Sequence, residues 1–489
     1  MAILSQPILG GSSRVGSTIS RLARHPGLLV VLALGTLLRG AEMLAYPGGI
    51  PGLDSWDYVY TALRTSPVGF SYARPSGYPA LIRLLSYVGP PFWMLVIVQH
   101  LIVLGLATAI YVTAVRRQVR KGVAAAGAAV VLLDARLLAL EQYLMSEVLF
   151  IGLVSAAVLL AARTSWRSAA ASGLLLASAT LTRTSGLCCL VVVAAGYLWL
   201  RHWKLLLTCA LAFALPVLAY CTVHDWRTGQ FSLTEMDGWY AYGRVGQIVD
   251  CTAADRAGAD GPLCRTISGT RDPAAWIFLP ESPAWKLLGP PFQPDQSLRK
   301  RDSARLESFA IHTVEEHPLA YAGLVLRDLS TLTFTEQPTP QFPTSSVQLP
   351  VNAGIRARYV PSFHPRAQAP AGFLHAYERW VRVPQPAYLL MALFCIGALM
   401  RRRVPGRRLA ALAVAVAVAL VVFAAATAGA NFRYAVPALP LLVLGTVLAT
   451  APGSRTPRAL EVVRTIDLTI KSDSKVSSES GTLDSSVRN

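Results

Sequence analysis

The chain's most constraining feature is a series of apolar runs close to the roughly 20 residues that an α-helix needs to cross a hydrocarbon core. They fall at 28–46, 92–114, 122–138, 144–162, 168–182, 186–200, 205–222, 385–400, 409–428 and 435–452. Lipid offers backbone N–H and C=O groups no water to bond with, so lipid-spanning runs of this kind must be helical. The sequence therefore predicts an all-α integral membrane protein with about ten spans. Composition agrees: 53% of the 489 residues are hydrophobic and only 15% are charged, too little polar surface for a soluble chain of this size.

The net charge of +18 lies in short clusters between the apolar runs, not in one basic face. Clusters of this kind set orientation in a bilayer, which removes the reason to invoke nucleic acid. Arg14, Arg21 and Arg24 precede the first run, Arg116, Arg117, Arg120 and Lys121 follow the second, and Arg163 with Arg167 follow the fourth. Arg201 with Lys204 follow the sixth, and Arg401, Arg402, Arg403, Arg407 and Arg408 form the densest group. Placing all of these inside puts both termini in the cytoplasm of a cell-membrane protein. Residues 1–27 become a cytoplasmic segment, 28–222 a membrane module with an external loop at 47–91, and 223–384 an extracytoplasmic cap. Residues 385–452 supply the last helices, and the Ser/Thr-rich stretch 453–489 reads as a disordered cytoplasmic tail. A cleaved leader is the competing reading of the first run, but the segment before it is long and no small-residue cleavage site follows. Within the cap, helical stretches are expected at Ser303–Thr313 and Leu319–Leu329, and tight external turns near Asp134–Tyr143 and Thr182–Ser185. Of seven cysteines only Cys251 and Cys264 lie in the cap. An oxidising compartment allows them to pair as a disulfide, and the sequence leaves that open against two free thiols. No cysteine spacing resembles a zinc site.

Several ionisable residues sit in or beside the apolar runs, where they are costly and commonly functional. Asp54 opens a helix in Gly52-Leu53-Asp54-Ser55-Trp56-Asp57-Tyr58, where a carboxylate suits free amides and the helix dipole. Trp56, Val59, Tyr60 and Leu63 are expected to form its apolar face, opposite Asp54, Asp57, Thr61 and Arg64. Asp54 as a simple cap is the plainer alternative. Tyr72-Ala73-Arg74-Pro75-Ser76-Gly77-Tyr78-Pro79 makes a rigid turn around Arg74, whose guanidinium suits a phosphate fork or else reaches to lipid headgroups. Arg39 and Glu42 read as a structural pair. Glu147 begins the fourth run, Arg183 lies at a turn, and Arg433 and Tyr434 precede Pro437.

Taken in order, the Asp54 loop, the Arg74–Pro79 segment, Ser146-Glu147, Leu181-Thr182-Arg183 and Arg433-Tyr434…Pro437 resemble the polyprenyl-phosphate-dependent glycosyltransferases of the GT-C fold. Protein O-mannosyltransferase-like, aminoarabinose transferase-like and arabinofuranosyltransferase-like enzymes are of this kind. The resemblance covers about the first 200 residues and the last helices, and leaves 223–384 unmatched. It implies an extracytoplasmic inverting transferase that takes a sugar from a polyprenyl-phosphate donor to a hydroxyl of an envelope glycan, lipid or protein. On this resemblance Asp54 is the base and Asp57 the lesser candidate. Arg74, with Arg183 and Arg433 behind it, holds the donor phosphate, while Tyr78, Glu147 and Tyr434 bind or orient substrate. No cofactor is required, since arginines can neutralise the phosphate, though a divalent ion between Asp54 and Asp57 stays open. A transporter or flippase is the alternative from another class, disfavoured by the lack of an internal repeat and by charges gathered at one face. A non-catalytic scaffold is the third reading.

Overall fold

The computed structural model describes residues 25–52, 54–64, 69–252, 256, 258–264, 276–335, 342–343, 367–401 and 405–452. The expected cytoplasmic segment before residue 25 and the tail from 453 lie outside the described residues. Among those described the chain is helical, with a lone bridge between Ile50 and Tyr143 as its only β pairing.

In chain order the helices are α1 (Pro26–Ala45), α2 (Ser55–Leu63), α3 (Gly77–Leu85), α4 (Pro91–Arg116), α5 (Lys121–Leu133), α6 (Ala135–Gln142) and α7 (Glu147–Ala161). Then follow α8 (Trp166–Thr182), α9 (Gly186–Trp199), α10 (Trp203–Thr228), α11 (Asp237–Val245), α12 (Pro283–Leu288), α13 (Gln296–Glu316) and α14 (Pro318–Phe334). The chain closes with α15 (Pro370–Trp380), α16 (Gln385–Arg401), α17 (Arg407–Thr427), α18 (Phe432–Ala435) and α19 (Leu439–Ala449).

Each apolar run is helical, but the helices differ in length. Five stretches are long and apolar enough to cross a membrane: α1, α4, α10, α17 and Phe432–Ala449. Two bent pairs, α5 with α6 at 49° and α15 with α16 at 50°, raise the number to seven among the described residues. The count of ten is not reached on length. At 1.5 Å rise per residue the 13 residues of α5 reach only about 20 Å, so α5 needs its bent continuation. The helices α7 and α9 are apolar but short as well. An exposed Leu207, Leu211, Leu215 and Leu218 run along α10, and such an uncovered apolar stripe is compatible with lipid as its solvent.

Packing is closest where side chains are small. In α8, Ala169, Ser172, Gly173, Leu176, Ala177 and Thr180 form the buried face. A Cβ on Gly173 would lie 2.2 Å from the carbonyl oxygen of Cys209 in α10, so glycine sets that approach. The expected external turn at Asp134–Tyr143 is instead the wholly buried helix α6. Asp134 caps it by accepting from Leu137 N at 2.8 Å, and its other oxygen accepts from Val383 N at 2.7 Å. One carboxylate thus ties the bend in α5–α6 to the bend in α15–α16.

The Arg39–Glu42 pair is corrected too. Arg39 reaches across to Glu141 of α6, with Nε–Oε2 at 2.8 Å and Nη2–Oε1 at 2.5 Å. Helix spacing would let Arg39 and Glu42 meet, but a bidentate fork to Glu141 is the stronger arrangement. Glu42 is left fully buried beside His100, Nε2 to Oε2 4.0 Å.

In the cap, both helices are longer than the sequence suggests, and α11 packs along α13. Gly238 permits this, since a Cβ there would sit 1.8 Å from the Ser303 carbonyl oxygen. Cys251 and Cys264 form a disulfide.

Candidate active site

The residue that organises the site is Asp54, at the N-terminus of α2. It is not a cap: its side chain bonds no amide of its own helix. Ser55 fixes the helix start, accepting from Gly52 N at 2.7 Å and donating to the Leu144 carbonyl at 2.8 Å. Together with the Ile50–Tyr143 bridge this lays the Gly49–Gly52 strand of backbone along the segment leading to α7. Met145 packs directly on this backbone, its Sδ 2.2 Å from where a Cβ on Gly52 would stand. Asp54 is thereby brought beside Glu147, 93 positions away in the sequence.

Freed from capping, the Asp54 carboxylate takes two guanidiniums. Arg74 Nη2 donates to Oδ1 at 2.5 Å and Arg433 Nη2 to Oδ2 at 2.8 Å. Arg433 also faces Glu147, Nε–Oε1 3.4 Å, and Arg183 Nη1 approaches the same oxygen at 2.7 Å. The result is a continuous row, Arg74–Asp54–Arg433–Glu147–Arg183, assembled from all five sequence segments singled out above. Glu147 is fully buried while Asp54, Arg183 and Arg433 are about one-sixth exposed. Both Glu147 oxygens accept no well-aligned hydrogen bond among the described residues, so charge alone holds that carboxylate. Three guanidiniums and two carboxylates alternate along the row, and Asp57 is a third acid interacting with Arg74.

Aromatic rings sheath it. Tyr434 lies under Arg183 and Arg433, at 5.7 and 5.5 Å from ring centre to guanidinium carbon, and Tyr58 lies 5.6 Å from that of Arg74. Such faces favour cations. Tyr58 Oη and Ser146 Oγ are 3.0 Å apart, with Arg183 Nη1 3.4 Å from Ser146. Tyr58 and Ser71 received no role in the sequence reading. The one signal for Tyr58 was its place four residues after Asp54, one helical turn on.

Asp57 does different work. Its Oδ2 accepts from Ser71 Oγ at 2.6 Å, and that oxygen accepts from the amides of Ala73 and Arg74 at 3.1 and 3.2 Å. Asp57 therefore braces the turn that aims Arg74. Around α2, the expected faces are rotated: Thr61 is buried, and Trp56 is open to the cavity, edge-on to Phe292. Packing by Tyr58 and Ala62 against α3 and α4 outweighs the apolar stripe through Trp56. Tyr78 is fully buried, donating to Gln99 Oε1 at 3.0 Å and packed on Tyr58, so it supports the site from beneath and does not line it.

Electrostatics separate the two aspartates. Burial works to raise Asp54, but Arg74 and Arg433 overcome it and hold the carboxyl at about 2. Asp57 is raised by burial, only partly offset by Ser71 and Arg74. Among the described residues no three His, Cys, Asp or Glu side chains gather as metal ligands. Asp54 and Asp57 are turned to arginines and to Ser71.

A cavity of about 1050 Å³ opens over the row. Its lining is charged at Asp54, Asp57, Arg74, Arg183 and Arg433, aliphatic at residues such as Leu187, Leu420 and Ala424, and aromatic at Tyr240, Phe278 and Phe292 of the cap. The architecture and site define a helical protein, compatible with membrane embedding, that holds a buried arginine–carboxylate row beneath a large half-open chamber. No protein family matches the chain, and no curated protein or solved structure does either.

Proposed function

We propose that the protein is an inverting glycosyltransferase of the cell membrane, moving a sugar from a polyprenyl-phosphate donor to an acceptor hydroxyl on the extracytoplasmic side. The observation that carries this is the union of the five segments that resemble GT-C enzymes in one ion-paired row. Three guanidiniums at a chamber whose lining includes apolar side chains such as Leu187 and Leu420 suit a phosphate joined to a long isoprenoid chain.

The acceptor hydroxyl attacks carbon one of the donor sugar from the face opposite the phosphate. The carbon–oxygen bond to phosphate breaks, the electron pair leaves with polyprenyl phosphate, and the hydroxyl proton passes to a carboxylate. Preorganised guanidiniums stabilise the charge growing on the leaving phosphate. Asp54 locked between two arginines is a weak base. A donor phosphate that draws Arg74 or Arg433 onto itself weakens that lock, so Asp54 gains basicity only when donor is bound. The reading thus expects ordered binding, donor first. Asp57, already raised by burial, is the second candidate base.

The test uses purified protein in nanodiscs with a panel of polyprenyl-phosphate sugars, following polyprenyl phosphate release. One donor should be consumed by wild type, and a folded Asp54→Asn variant should not turn it over. Loss in Asp57→Asn alone would transfer the base to that residue. No consumption of any donor beside an envelope extract would defeat the transferase reading. A transporter is then favoured by one observation, the buried Arg39–Glu141–His100–Glu42 cluster between α1, α4 and α6, and ion flux in proteoliposomes would reveal it.

A further inference from the structure

The cavity over the charged row is also lined by aromatic rings that the transfer step does not use. Trp56 is 38% exposed and edge-on to Phe292 at 5.9 Å. Phe292 stacks on Phe278 at 5.5 Å with planes 5° apart, and Tyr240 meets Phe278 at 6.2 Å. All four line the cavity, as do Asp57 and Thr234. Tyr240, Phe278 and Phe292 pack on the buried core of the cap and are themselves only partly buried, so each keeps some surface toward the cavity, which Asp57 and Thr234 also line. Burial, opposed by Arg74 and reinforced by Asp54 and Asp57, pushes the Tyr240 phenol up.

We infer that this shelf is the acceptor subsite and that the acceptor is a glycan. A sugar ring has an apolar C–H face and a polar edge of hydroxyls, and the shelf offers the complement of each: flat apolar rings at Trp56 and Phe292, polar groups at Asp57 and Tyr240. Trp56 and Asp57 share a helical turn with Asp54, so a ring resting there brings its hydroxyls beside the proposed base. The direction of reaction rests on the transferase reading, while binding of a glycan does not.

The experiment is saturation-transfer NMR on the full chain in nanodiscs. Probes are short arabinan, mannan, galactan and glucan fragments, with a serine-containing peptide and a diacylglycerol as comparisons. One glycan class should bind. Trp56→Ala should weaken it about tenfold, the loss expected when a ring at the centre of a contact is truncated, and Trp56→Phe should restore most of it. Phe292→Leu gives a second reading of the shelf, and melting curves establish that each variant is folded. The proposal is overturned if no glycan binds wild type, if both ring variants bind as wild type does, or if peptide or lipid binds in its place. Glycan binding without donor consumption would defeat the transferase reading and leave the shelf standing. Donor consumption onto peptide or lipid, with no glycan bound, would do the reverse.

Discussion

At the scale of single residues, one carboxylate is shared by two arginines that come from opposite ends of the chain. Asp54 meets Arg74 and Arg433 together, and the consequence is visible in acid. Its folded value of about 2 lies below the ordinary carboxylate value, so the ion pairs contribute stability that is complete above pH ~4 and is lost as pH falls toward ~2. The contribution is on the order of 2 kcal/mol. Melting curves of wild type and Asp54→Asn should therefore differ at neutral pH and converge near pH 2. A constant difference down to that pH would mean that the charge is not what the pairs use. The positions of these residues were legible because carboxylates and guanidiniums beside apolar runs are costly and stand out. Their connections were not: no local pattern says that Arg433 spans Asp54 and Glu147, or that Arg39 prefers Glu141 to Glu42, since each partner is set by tertiary packing.

At the scale of elements, the cap is positioned by close backbone approach and a crosslink. Gly238 lets α11 lie on α13, and α11 carries Tyr240 over the charged row. Gly238→Ala must push the helices apart, as a backbone carbonyl cannot yield, and should cost about 1–3 kcal/mol and reduce turnover through a displaced Tyr240. Unchanged melting and activity would show that α11 does not need that contact. The Cys251–Cys264 bridge closes a loop of 13 residues in separation, for which chain entropy gives about 3 kcal/mol. Reduction, or Cys251→Ser, should lower the melting temperature of wild type and have no further effect in Cys264→Ser. The apolar runs made most of the long helices legible, and α13 and α14 were expected in part, whereas α3 and the cap helices α11, α12 and α15 carry no apolar run and were not read. The helix α6 was missed because it is buried on all sides, and eight residues with no exposed face show no amphipathic period. The rotation of α2 was missed because the neighbours of Tyr58 and Ala62 are not in the local sequence.

For the whole molecule, the arginine clusters argue for the cap outside and the connections that carry those clusters inside. Single cysteines at Ser308 in α13 and at Thr164 before α8, both exposed, test this against a background of five free cysteines that are buried or partly so. An impermeant maleimide should label Ser308→Cys in intact cells and Thr164→Cys only after permeabilisation. The opposite pattern would place the site on the cytoplasmic face. The most direct test of the central claim is equilibrium binding of polyprenyl phosphate to the protein in nanodiscs. Wild type should bind, Arg433→Gln should lose about tenfold or more, and Arg433→Lys should lose less because it keeps the charge. Equal affinity in wild type and a folded Arg433→Gln variant would contradict the assignment of this row to the donor phosphate.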